Sequence, residues 1–174
     1  LLVGTFIEAI ISDPAFDGGW YTDARLVHRG LRRVARLFAV SGFFEAFFNQ
    51  RNWKTLGFTN VDDFVTGFVE NHFVPQDPNN LILLAQKWRA NDASRITGGD
   101  LESALARIKA KTFVIAIEED GFFQLADIAA DQALIPGSEL KRISSAWGHR
   151  ALFGIDTDYC RIIDGYLNEL LQAA

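Results

Sequence analysis

The sequence predicts an α/β fold in which parallel sheet strands joined by a crossover helix follow a long helical block. Three observations carry that reading. Phe113-Val114-Ile115-Ala116-Ile117 is a nearly unbroken apolar run with β-branched residues. That is the pattern of a strand buried on both faces of a parallel sheet. Leu140 to Ser144 reads as a second strand, reached through a helical segment from Phe122 to Leu134, and strand–helix–strand implies a right-handed parallel crossover. Between Pro14 and Gly99 no strand pattern occurs, and short amphipathic helices succeed one another.

Leu1 to Thr5 reads as the end of a strand and Phe6 to Ile11 as the start of a helix, before Asp13-Pro14 and Gly18-Gly19 break the chain. Gly30 to Phe38 resumes as a helix, with Leu31, Val34, Ala35 and Phe38 on one stripe. Arg32, Arg33 and Arg36 lie mostly off it and read as solvated surface or ion pairs ahead of an anion site. Ser41 to Phe48 adds Phe43, Phe44, Phe47 and Phe48. Asn60 caps a predicted helix from Val61 to His72, with Asp62 and Asp63 at the positive end of its dipole and Val61, Phe64, Val65, Phe68 and Val69 as its stripe. Asp77-Pro78 is a cap with proline next to it at the first helical position, opening a helix with Leu81, Leu84, Ala85 and Trp88. Asp100 caps a helix that turns Leu101, Ala104, Leu105 and Ile108 inward. The last helix, Asp156 to Leu171, carries Tyr159, Ile162, Ile163, Tyr166, Leu167 and Leu170 on one face. The expected division is residues 1–13 as the end of a core strand and helix, 14–99 as a helical cap or lid, and 100–174 as sheet-forming core.

Bulk properties narrow the function. The 174 residues suit one domain, or a domain piece with an insertion. A hydrophobic content of 49% with 22% charge marks a globular chain rather than a disordered one. A net charge of −5 and a pI near 5.1 argue against a nucleic-acid or anionic-membrane surface. No apolar run approaches the ~20 residues of a spanning helix, and Leu1 to Ile11 lacks the basic start of a signal peptide. A cytoplasmic location is the default expectation. The single Cys160 cannot close an intrachain disulfide and reads as a buried thiol, and no Cys/His spacing suggests a metal site.

The chemistry concentrates at two strand ends. Asp120 lies just past the Phe113 strand and His149 just past the Leu140 strand, at the sheet edge where ligands of open α/β sheets bind. A histidine acting as general base needs a carboxylate to hold one tautomer and to stabilise the imidazolium. Glu118 and Glu119 are alternative acids. Read alone, Asp120 caps a helix and His149 is a loop histidine; placed together at strand ends, they favour catalysis. His28 and His72 read first as surface or rim residues, and Asp13 and Asp92 as turn or cap residues.

At these residues the chain resembles the homoserine O-acetyltransferase-like α/β-hydrolases, over their C-terminal half. The matching pieces are Ala9-Ile10-Ile11-Ser12-Asp13-Pro14, Gly18-Gly19-Trp20-Tyr21, Gly30-Leu31-Arg32-Arg33-Val34-Ala35-Arg36, Asp77-Pro78-Asn79-Asn80-Leu81, Trp88 with Asp92, Ala104 to Ala110, Asp120 with Phe123, and Gly148-His149. The resemblance implies a C-terminal part of an α/β-hydrolase fold with a helical cap, and a Ser-Asp-His triad with Asp120 as acid and His149 as base. The order acid before His agrees with that fold. Arg150 departs from the acetyltransferases, which usually carry Asp after Gly-His.

No G-x-S-x-G is present; Ser41, Ser138, Ser144 and Ser145 lack the flanking glycines of a nucleophile elbow, and the chain contains no Met. The expectation is therefore a fragment or processed half, inactive alone, whose partner is the N-terminal half carrying the nucleophilic Ser. The expected function is serine-dependent ester hydrolysis of a small acyl ester or thioester. One alternative is homoserine O-acetyltransfer with acetyl-CoA as co-substrate and otherwise no cofactor; another is a non-catalytic helical interaction module. Trp20, Tyr21, Phe123 and Trp147 are the pocket candidates. The aromatic set of Trp20, Tyr21, Phe43, Phe44, Phe47 and Trp53 suits an acyl-pocket roof, plain core packing or a homodimer contact through the cap.

Overall fold

The computed structural model describes residues 1–172, which fall into two units: Leu1–Val40 with Gln50–Asn91, and Ser41–Asn49 with the chain from Asp92 onward. In chain order the helices are α1 (Leu2–Ile11), α2 (His28–Gly42), α3 (Glu45–Asn49), α4 (Val61–Phe64), α5 (Asn71–Phe73) and α6 (Pro78–Ala90). Then come α7 (Leu101–Leu105), strand β1 (Phe113–Ile117), α8 (Leu125–Ala133), strand β2 (Glu139–Ile143) and α9 (Thr157–Gln172). Among the described residues no strand precedes β1.

In the first unit the chain is helical from its second residue, so the expected strand end over Leu1 to Thr5 does not form. Phe6, Ala9 and Ile10 are the buried residues of α1 and fall at helical spacing, which an apolar run this short does not distinguish from a strand by periodicity alone. Asp13, 3% exposed, ties α1 to α2: its Oδ1 accepts the Ala15 N–H at 3.0 Å and its Oδ2 the Gly30 N–H at 2.8 Å. These bonds and the charge of His28 outweigh the burial that opposes ionisation, and they hold the Asp13 carboxyl below its ordinary range. Gly30 is required by close approach, because a Cβ there would lie 3.0 Å from the backbone of Ala9 and Ile10. The stripe of α2 is buried at Leu31, Val34 and Ala35.

Asn60 caps α4 as its sequence predicts, its side chain accepting the Asp63 N–H. The helix then loosens into a π-helical turn over Val65–Glu70 before α5. A π turn inserts a residue into the helical repeat and rotates the residues beyond it about the axis, so Glu70 turns inward to 4% exposure beside Val69. There it meets Arg36 at 3.0 Å and Arg32 at 3.2 Å, which is the ion-pair reading of the arginine cluster. Asp77 caps α6, accepting the Asn80 N–H. Of the expected stripe of α6, Leu81 and Ala85 are half-buried, while Leu84 is 63% and Trp88 40% exposed.

In the second unit β1 and β2 pair in parallel with Phe113 opposite Glu139 and Ile117 opposite Ile143. Burial on both faces holds only at the carboxyl end of β1, where Ala116 and Ile117 are buried and Phe113 to Ile115 are half-buried. One face packs on α9: Ile117, Ile143, Ala151 and Tyr159 form a buried cluster, joined by Ile115, Trp147, Cys160, Ile163 and Tyr166. Of the rest of the α9 stripe, Leu170 is half-buried, while Ile162 is 39% and Leu167 47% exposed. Helix α8 bridges the strands, shorter than its sequence predicts and with no buried residue. Asp100 caps α7, whose Ala104 is buried while Leu101 stays exposed. Among the described residues no helix is long and apolar enough to cross a membrane.

Candidate active site

The turn after β1 positions the candidate acid, Asp120. Asp120 N–H donates to Ile117 O at 3.2 Å, folding the chain back directly beyond the strand. The side chain then caps the next turn, with Oδ1 accepting the N–H groups of Phe122 at 2.7 Å and Phe123 at 3.0 Å. This leaves Oδ2 aimed at His149 Nδ1, 2.9 Å away. Burial to 6% exposure opposes ionisation of Asp120, but the His149 bond and the two backbone N–H bonds outweigh it and hold the carboxyl below its ordinary range. An ionised carboxylate only accepts, so in the neutral ring Nδ1 carries the proton and Nε2 the lone pair.

His149 sits in a 3-10 turn over Gly148–Phe153, entered from β2 through Ser144 to Trp147. Gly148 has φ +56°, and a Cβ there would lie 3.0 Å from Glu119 O and from Phe44 N. Only glycine takes that left-handed backbone at so close an approach without strain. Gly121, on the other loop, is closer still, its Cβ position lying 2.3 Å from Ser41 O. The Ser41 to Phe44 backbone therefore backs both loops of the pair. The His149 ring is walled by Phe122, Phe123 and Phe153, at centroid distances of 4.6, 5.6 and 6.2 Å.

The alternative acids are engaged elsewhere. Glu118 lies one residue past the end of β1 and pairs with Arg142 at 2.8 Å. Glu119 accepts the Ser144 hydroxyl and the Ser145 N–H. Of the four pocket candidates, Phe123 lies beside His149 and is 44% exposed. Trp147 stands edge-on to Phe47 at 4.9 Å and joins the packing over β2. Trp20 and Tyr21 belong to the first unit; Trp20 is 86% exposed, and the Tyr21 hydroxyl donates to Asp77 at 2.7 Å. Asp92 caps a 3-10 turn over Ala93–Thr97, as a bland reading of it expects. Sequence reasoning missed Arg150 as a buried residue: 6% exposed, it lays its guanidinium 4.1 Å from the Phe153 ring centroid. Burial draws that guanidinium below its ordinary value. Among the described residues no cluster of His, Cys, Asp and Glu could hold a metal ion.

No model of a known protein family matches the chain. It is 44% identical over 173 residues to the ethyl acetate hydrolase of Pseudomonas veronii, covering 99% of this chain and 50% of that protein. It is 32% identical over 160 residues to a homoserine O-acetyltransferase of Clavibacter michiganensis subsp. michiganensis, covering 82% and 41%. Among solved structures, an acetylester hydrolase from Corynebacterium glutamicum superimposes with a TM-score of 0.95 at 44% identity, covering 98% of this chain and 49% of that one. The chain spans about half the length of the relatives it matches. With its parallel strands and helices superimposing on such an esterase, it belongs to the homoserine O-acetyltransferase-like family of α/β-hydrolases.

Proposed function

We propose that this chain supplies the acid and base of a serine-dependent esterase that hydrolyses short acyl esters. The carrying observation is the 2.9 Å contact between Asp120 Oδ2 and His149 Nδ1, with the other carboxylate oxygen held by two backbone N–H groups. In this reading the nucleophilic Ser comes from the part of the relatives' length that this chain does not span. His149 Nε2 takes the Ser proton as the Ser oxygen attacks the ester carbonyl carbon. The tetrahedral oxyanion collapses and expels the alcohol, which leaves with the proton from His149. Water then attacks the acyl-serine with His149 again as base, releasing the acid and restoring Ser. Asp120 stays ionised throughout and stabilises the imidazolium.

Hydrolysis is favoured over transfer by the 44% identity to a protein named for ethyl acetate hydrolysis. It is favoured also by Arg150, which follows His149 where the resembling acetyltransferases usually carry Asp. The helical residues 14–99 are assigned the role of a cap or lid. The test is turnover of ethyl acetate and p-nitrophenyl acetate by the full-length protein, alone and with homoserine and acetyl-CoA. Ester hydrolysis that is independent of both additions, and lost in His149→Ala, is the expected result. Acetyl-homoserine formation that outpaces hydrolysis would assign the acyltransferase instead. The 174 residues alone should be inactive and should gain turnover when the remaining half is co-expressed.

A further inference from the structure

Two carboxylates that the reaction above does not use hold the loop carrying the base, and both act at Ser145. The backbone ladder between the strands ends where Glu118 N–H donates to Ile143 O at 2.9 Å. One residue further on, the Glu119 side chain continues the link: it accepts the Ser145 N–H at 2.7 Å and, through its other oxygen, the Ser144 hydroxyl. Ser145 is 5% exposed, and each of its polar groups is used. Its hydroxyl donates to Asp156 and accepts the Trp147 N–H at 3.2 Å, while its carbonyl accepts the Gly148 N–H at 3.0 Å. Asp156 in turn accepts the N–H groups of Asp158 and Tyr159 at the start of α9. Ser145 is thus the point from which the turn to His149 is hung, and Glu119 is the neighbour of Asp120 in the chain.

We propose that Glu119 is a positioning residue for the Asp120–His149 pair, an inference that rests on the catalytic reading of that pair. Its carboxylate binds the loop that delivers the base to the turn that delivers the acid, so that Nδ1 and Oδ2 keep their separation through turnover. The motion it restrains is a shift of the Ser145 loop relative to the Asp120 turn. Misplacement of reacting groups by ~1 Å costs on the order of 10²-fold in rate.

The test uses the full-length enzyme with Glu119→Ala, Glu119→Gln and Glu119→Asp, and His149→Ala as the control for the site. Kinetics with p-nitrophenyl acetate are read across pH at a temperature where circular dichroism shows each variant folded. Glu119→Ala should lower kcat by roughly 10–100-fold with KM little changed, and should alter the shape of the pH profile. Glu119→Gln should recover most of that loss, because the amide oxygen still accepts the Ser145 N–H and the amide nitrogen can donate to the Ser144 hydroxyl. Glu119→Asp keeps the charge but falls one methylene short, and should resemble Ala in kcat. If Glu119→Ala does not fold, Glu119→Asp decides the matter. Wild-type kcat in Ala or Asp, or equal loss in Gln and Ala, overturns the positioning role. Turnover surviving in His149→Ala overturns the catalytic reading beneath it; loss there with wild-type kcat in Glu119→Ala overturns the positioning role alone.

Discussion

Replacing Asp120 by asparagine separates the tautomer of His149 from the shape of its site. The side chain keeps its size, but one oxygen becomes an NH2 group. The N–H groups of Phe122 and Phe123, at 2.7 and 3.0 Å, require an acceptor, so the amide oxygen takes the Oδ1 place. The NH2 group then faces His149 Nδ1 across the 2.9 Å contact and donates to it. Nδ1 must accept, the ring proton moves to Nε2, and the base loses its lone pair towards the nucleophile. Flipping the amide to rescue the tautomer would leave two backbone donors facing an NH2 group, at about 1–3 kcal/mol each. The wrong tautomer is the cheaper outcome. Its expected effect is a loss of about 10⁴-fold in kcat, or roughly 5.5 kcal/mol on the barrier, with KM and the circular dichroism spectrum unchanged. The assay is steady-state hydrolysis of p-nitrophenyl acetate by the full-length protein, with Glu118→Gln and Glu119→Gln alongside. A kcat for Asp120→Asn within about tenfold of wild type refutes the tautomer argument, and a larger loss in either glutamine variant moves the acid to that glutamate.

Two further predictions concern stability. Because its hydrogen bonds hold the Asp120 carboxyl below its ordinary range in the folded protein, the group binds protons more readily when unfolded. Its contribution is complete above the unfolded carboxylate value of ~3.9 and is lost as pH falls through the lower folded value. Urea midpoints taken from about pH 6 to about pH 2 should therefore fall, and less steeply in Asp120→Asn; identical acid limbs would show that Asp120 carries no such linkage. Gly121→Ala places a Cβ 2.3 Å from Ser41 O, and Gly148→Ala adds a left-handed backbone to 3.0 Å contacts. The first should cost at least ~1–3 kcal/mol from overpacking, and the second a further ~1–2 kcal/mol from its φ. A wild-type urea midpoint in either would mean that the Ser41 to Phe44 backbone does not press on these loops.

Much of this protein is legible from residues within a few positions of one another. The limits of β1 at Phe113 and Ile117 come from a five-residue apolar run. The caps Asn60, Asp77 and Asp100 are local, each side chain accepting an N–H three residues on. Asp120 and His149 stand out because strand ends and residue type are both written in the chain. Tertiary structure alone decides the rest. The π turn that swings Glu70 inward is a change of helical phase that the stripe ending at Val69 does not announce. The exposure of Leu84 and Trp88 shows that an apolar stripe specifies a face but not how deeply each of its residues is buried. Whether Asp120, Glu118 or Glu119 meets His149 depends on which way three consecutive side chains leave one turn. That is settled by contacts across 25 to 29 residues of sequence: Ser144 and Ser145 with Glu119, and His149 with Asp120. Periodicity and capping act over one helical turn, whereas these pairings exist only after β1 and β2 have closed side by side, and that closure sets the partner of each carboxylate.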